Sequence, residues 1–178
     1  MKKIYSVLLA ITVLVVTPYA QAMTCYGGVY CNFIDTNPGF ENSTPGQYWS
    51  FDSGVTFPTE STCYLNNHVA NLDNGEAIWR FPFANGTFSS FKLQFKAFLP
   101  GDTNNFYDEL KVTVRNRDTG AEETMYLHGN SYDGSNCNFN NFYLSNNYSN
   151  ANILVTFEAG GLGTHPWQID DVSLFGYY

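Results

Sequence analysis

The chain has 178 residues, about one domain's worth, and 44% of them are hydrophobic with 17% aromatic, which excludes intrinsic disorder and supplies a full core. Its 16 acidic and 8 basic side chains leave a net charge of -8 at pH 7, so a phosphate-backbone partner is excluded and no nucleic acid is expected.

Lys2 and Lys3 precede an apolar run from Val7 to Val16, and Ala20-Gln21-Ala22 supplies a small-x-small cleavage pattern. Residues 1–22 therefore read as a signal peptide, the mature chain starts at Met23, and the product is secreted into the extracellular space. The run falls short of the roughly 20 residues that cross a bilayer, so no membrane span is expected after cleavage. Losing the two lysines takes the net charge from -8 to about -10.

Residues 23–32 form a short leader in which Cys25 and Cys31 flank Tyr26-Gly27-Gly28-Val29-Tyr30. The mature part holds four cysteines, Cys25, Cys31, Cys63 and Cys137, none in CxxC spacing, and two disulfides are expected. Three connectivities are possible in principle; the tight loop favours Cys25–Cys31 and leaves Cys63–Cys137 as the long-range bridge. Zinc would need paired thiolates with neighbouring histidines, and His68, His128 and His165 stand singly.

From residue 33 to 178 the pattern has period two. Strands are predicted at 48–57, 68–72, 77–83, 91–98, 110–115, 123–127, 139–144, 152–158 and 168–175, each bounded by Gly, Asn, Asp or Pro. Phe91 to Phe98 alternates apolar and polar without a slip, and no stretch offers an amphipathic helix. The fold class is all-β, an antiparallel jelly-roll β-sandwich of about eight strands held by two disulfides. Asparagines crowd the region from Asn136 to Asn152, which reads as a long polar loop or, alternatively, a ligand-facing one. Glycosylation-type sequences at Asn42, Asn85 and Asn147 mark surface positions.

Two segments carry a family resemblance. Asn37-Pro38-Gly39-Phe40-Glu41 followed by Tyr48-Trp49 resembles the opening of jelly-roll carbohydrate-binding modules and related galactose-binding-like domains. Trp167-Gln168-Ile169-Asp170-Asp171-Val172-Ser173-Leu174 resembles the Ile-Asp-Asp-Val-x-Leu last strand of the same superfamily, shared with MAM-type domains, and Asp108 to Val114 is similar to its middle strand. The resemblance implies a structural calcium ion with Glu41 and Asp171 as ligands and Glu60 as a further candidate, while Asp170 faces solvent or caps a turn. Carboxylates from both chain ends suit the six to eight hard oxygens that calcium takes.

The function so implied is non-catalytic carbohydrate binding by a lectin-like, adhesive protein, with a glycan or polysaccharide as partner. Trp49, Trp79, Tyr107 and Tyr132 are the candidate sugar-stacking residues, although Trp49 and Trp79 also suit a core, and Trp167 suits packing better than binding. The alternative is self-association into a matrix or fibre, the leader docking on a neighbour's sheet edge. A polysaccharide-active enzyme ranks lower: Asp73, Glu76, Asp102, Asp108, Glu109 and Glu158 offer carboxylates, but nothing singles out a pair and no nucleophile motif is present.

Overall fold

The computed structural model describes residues 23–34, 40, 48–60, 67–100, 107–131, 138–163 and 165–178. The signal-peptide segment, Glu41, Asn42, Cys63, Tyr132 and Cys137 lie outside them, and the side chain of Glu60 is likewise outside.

The strands in chain order are β1 (Thr24–Tyr26), β2 (Tyr30–Asn32), β3 (Ser50–Phe51), β4 (Thr59–Glu60), β5 (Asn67–His68), β6 (Ala70–Leu72) and β7 (Ala77–Arg80). They continue as β8 (Phe83–Ala84), β9 (Ser90–Phe98), β10 (Asp108–Asn116), β11 (Glu122–His128), β12 (Asn138–Leu144), β13 (Ala151–Gly161) and β14 (Trp167–Tyr177). Two six-stranded sheets form: the first runs β1-β2-β14-β9-β12 with β6 also on β14, the second β11-β10-β13-β7-β3 with β8 also on β13. The small β4–β5 pair stands beside them. Every pairing is antiparallel, and the architecture is the expected jelly-roll β-sandwich. Among the described residues no helix is long and apolar enough to cross a membrane.

Alternation decides which residues meet between the sheets. On β9, Phe91, Leu93, Phe95 and Ala97 point inward, and Phe95 packs edge-on against Phe157 of β13 at 5.0 Å, joining the two layers. Each of the Phe and Leu side chains contributes about 1.5–3 kcal/mol by leaving water. Gly176 of β14 also faces inward, where a Cβ would lie 2.8 Å from the Phe88 ring and 2.9 Å from Phe33, so the aromatic packing there requires glycine.

Two expected strands come out shorter for local reasons. The 48–57 stretch contributes only β3, because a turn closes with the Val55 amide donating to the Asp52 carbonyl at 3.1 Å. The 77–83 stretch breaks at Pro82, which has no N–H for the ladder, and resumes as β8. The asparagine-rich stretch is divided, with Asn138, Asn140 and Asn141 in β12 and Asn146, Asn147 and Asn150 in the connection to β13.

Of the two expected disulfides, Cys25–Cys31 is formed, clipping β1 to β2; Cys63 and Cys137 are outside the described residues. The leader is part of the sandwich: β2 pairs with β14 of its own chain through Tyr30, Cys31 and Asn32. β1 is left as an edge strand of that sheet.

Candidate functional site: the outer face of the first sheet

Antiparallel register places partners on the same face, so the outer face of the first sheet can be read in rows across the strands. One row joins Tyr26, Tyr30 and Tyr177. The next runs Asn32, Phe175, Lys92, Tyr143, and the third Ser173, Gln94, Asn141. The fourth joins Asp170, Lys96 and Phe139. A band of amides and a hydroxyl therefore lies between two bands of aromatic rings.

The rings of the first band brace one another: Tyr26 stacks on Tyr30 at 5.1 Å, and Tyr30 meets Phe175 edge-on at 5.5 Å. The Lys92 ammonium sits 5.2 Å from the Phe175 ring centre and 5.8 Å from that of Tyr177. Beside them Tyr143 is 74% exposed, and four residues back along β12 Phe139 is 56% exposed. Four residues of strand separate these two rings by about 13 Å, more than one pyranose ring spans. Between them the Gln94 side-chain amide donates to Asn141 Oδ1 at 2.9 Å, fixing one donor and one acceptor and leaving the rest of both amides for a ligand.

At the far end the face is closed, since Lys96, Phe98, Gln168 and Asp170 are buried. Lys96 ion-pairs with Asp171 and carries its ammonium 4.5 Å above the Phe139 ring. Asp171 lies in a bulge, where the register shifts between Asp170 and Ser173, and it takes a left-handed conformation with φ 48°. Its amide donates to Asp170 Oδ1 at 2.8 Å.

Asp170 is on the outer face beside Lys96 but is covered there, 2% exposed, and accepts the Asp171 amide, so it caps the bulge and does not face solvent, whereas Asp171 ion-pairs with Lys96. Glu60 ends β4, paired with Asn67 of β5 in the separate two-stranded sheet, and Glu41 is outside the described residues. Among the described residues no three His, Cys, Asp or Glu side chains cluster.

The three expected sugar-stacking residues among the described ones are not brought together. Trp49 is 1% exposed and packs between Phe40 at 5.3 Å and Phe157 at 6.2 Å, so it is a core residue. Trp79 lies on the outer face of the second sheet, opposite Ser50 and Thr156. Tyr107 is exposed at the start of β10, where its carbonyl accepts the Leu162 amide at 2.9 Å, and Tyr132 is outside the described residues. Trp167 is buried, as packing requires, and Asn85 and Asn147 are on the surface. The residues missed, Tyr143, Phe139, Gln94 and Asn141, carried a signal: in β12 the odd positions alternate with Asn140, Phe142 and Leu144. Aromatic residues occur on both faces of that alternation, so it did not reveal which one faces water.

Four of the six carboxylates considered for hydrolysis have polar partners within the fold. Glu76 accepts the Asp73 amide at 2.8 Å, Glu158 pairs with Lys111 at 3.4 Å, and Glu109 with His128 at 3.6 Å. Asp108 is buried 3.3 Å from the His165 ring, and Asp102 is outside the described residues.

No family model and no curated protein matches the sequence. Solved structures do match in shape. A module described as xylan-binding, CBM15, superposes with a TM-score of 0.56 at 10% identity, covering 85% of this chain and 97% of that one. TmCBM61, solved with β-1,4-galactotriose, gives 0.57 at 18% identity over 82% of this chain and 98% of its own. A family 35 carbohydrate-binding module from Clostridium thermocellum gives 0.50 at 12% identity over 73% and 93%. At such identities the likeness concerns fold. The chain has the jelly-roll β-sandwich of carbohydrate-binding modules, the fold to which its two end motifs pointed.

Proposed function

We propose that the protein is a secreted, non-catalytic carbohydrate-binding protein that holds an oligosaccharide on the outer face of its first sheet. The observation that carries this reading is the Gln94–Asn141 amide pair lying between exposed aromatic rings at Tyr143 and Phe139. Rings stack on the apolar side of a pyranose while amides bond its hydroxyls, and a flat, rigid sheet holds both in place without ordering cost. The distance between Tyr143 and Phe139 suits a polymer segment better than a single sugar. The shape likeness to a xylan-binding module and to one solved with β-1,4-galactotriose supports the reading and makes β-linked plant-type polymers the ligands to try first. The Cys25–Cys31 disulfide supports an oxidising, extracellular location.

Calorimetric titration with xylo- and β-1,4-galacto-oligosaccharides tests it. Tyr143→Ala and Gln94→Ala each weaken binding by about tenfold, one stacking or hydrogen-bonding contribution, whereas Trp79→Ala on the opposite sheet has no effect. Equal loss from Trp79→Ala, or none from Tyr143→Ala, would move the site to another surface.

The proposal keeps the structural calcium ion, with Asp170 in place of Asp171 and with Glu41 from the other chain end. Bound there, the ion would neutralise carboxylates and tie the first strand region to the last.

A further inference from the structure

The geometry points to an anionic sugar residue, a uronate or a sulfate ester, as the ligand unit of this face, with Lys92 as the residue that binds its charge. The inference rests on the glycan reading above and narrows its substrate class. Lys92 sits mid-row between Phe175 and Tyr143, directly beside the Gln94–Asn141 pair. Its ammonium lies against the Phe175 and Tyr177 rings, and among the described residues it forms no ion pair. Lys96 and Lys111, by contrast, are committed to Asp171 and Glu158. Rings fix an ammonium from one side and leave its other protons for an acceptor, the arrangement that a ligand carboxylate or sulfate completes.

The acidity of the chain does not oppose this. The described carboxylates on the outer face of the first sheet are Asp170, which is buried, and Asp171, which Lys96 neutralises. Glu109, Glu122 and Glu158 belong to the second sheet. Stacked sheets lie about 10 Å apart, comparable with the ~8 Å screening length of physiological salt, so a ligand on the first sheet meets Lys92 at contact and the second sheet's carboxylates only at a distance, and comparison of the parent with Lys92→Gln isolates the near charge at either ionic strength. An exposed pair of this kind is worth a few-fold in affinity and fades with salt.

The test uses the full mature chain with three probes: polygalacturonate, a sulfated galactan and neutral β-1,4-galactan, each at low and high ionic strength. The parent is expected to favour an anionic polymer over the neutral one by roughly threefold or more at low salt. That ratio falls toward one at high salt and in Lys92→Gln, and returns in Lys92→Arg; whichever anionic polymer shows it identifies carboxylate or sulfate as the group. Equal affinity for neutral and anionic polymers in the parent, or a preference that survives in Lys92→Gln, overturns the inference while the glycan reading stands. Binding to none of the three probes, nor to the xylo-oligosaccharides, overturns both. Unchanged thermal midpoints of the Lys92 variants establish that the fold is intact.

Discussion

Arg80 carries its guanidinium into the core, 5.6 Å from the Tyr48 ring and 5.7 Å from that of Trp49, and burial lowers its pKa to about 10, against a smaller upward pull from Tyr48. It stays charged at neutral pH, held by ring faces that accept a cation. This arrangement explains an inversion along β7: Ile78 and Arg80 point inward, and Trp79 outward. Hydrophobicity alone would have buried Trp79 and exposed Arg80, because the rings that receive Arg80 are supplied by a segment some thirty residues earlier in the chain. Trp49 is the larger stake. Trp49→Ala empties a site among Phe40, Phe157 and Arg80, and a loss of about 3–5 kcal/mol is expected, read as a drop in the urea midpoint. Tyr143→Ala, on an open edge strand, is expected to shift stability by less than about 0.5 kcal/mol. Similar shifts for the two would contradict the assignment of one to the core and the other to the surface.

The edge strand β11 shows how an element is held by one side chain. Glu123 turns inward from it, and its carboxylate accepts the Ser145 amide and hydroxyl, both at 2.7 Å, and the Asn146 amide at 2.9 Å. The Tyr148 hydroxyl lies 3.2 Å away. The second sheet's edge is thereby fastened to the loop leaving β12 of the first. An inward charge also blunts a free edge. Burial raises the Glu123 pKa, but the hydrogen bonds from Ser145 and Asn146 outweigh it and hold the group below its ordinary 4.5. A carboxyl depressed in the folded state stabilises above its unfolded value, and that contribution is lost as pH falls through the folded one. Glu123→Gln is therefore expected to be about 1 kcal/mol less stable than the parent at pH 7, with the gap closing below about pH 4.5 in urea melts. A gap that persists in acid would mean that the loss is packing and not charge. The bulge in β14 is an element-scale feature that was readable beforehand. Ile169 and Val172 are both inward and three apart, so the two aspartates between them break the period of two by one residue.

At the scale of the molecule, the first described strands join the last: β2 pairs with β14, β1 lies on the far side of β2, and Asp170 lies within β14. If a calcium ion joins Asp170 to Glu41, chelator lowers the thermal midpoint of the parent, and Asp170→Asn abolishes the difference, by mass action on the folded state. A midpoint indifferent to chelator removes the ion and leaves β2–β14 pairing to hold the ends. The long strands β9 to β14, their approximate limits and the local Cys25–Cys31 bridge were determined by sequence alone, because alternation, turn residues and short loop closure are properties of neighbouring residues. The asparagine-rich run misled only in part, for the same alternation that placed β12 was present within it. Which faces meet water was decided by tertiary structure. Lys92, Phe175 and Tyr143 come from three strands that are adjacent in space and far apart in the chain, and their row exists only once β14, β9 and β12 pair in register. Likewise Trp49 entered the core because Phe157 and Arg80 close around it. Period two defines two faces for every strand; only the packing of one sheet against the other determines which of them is left to bind.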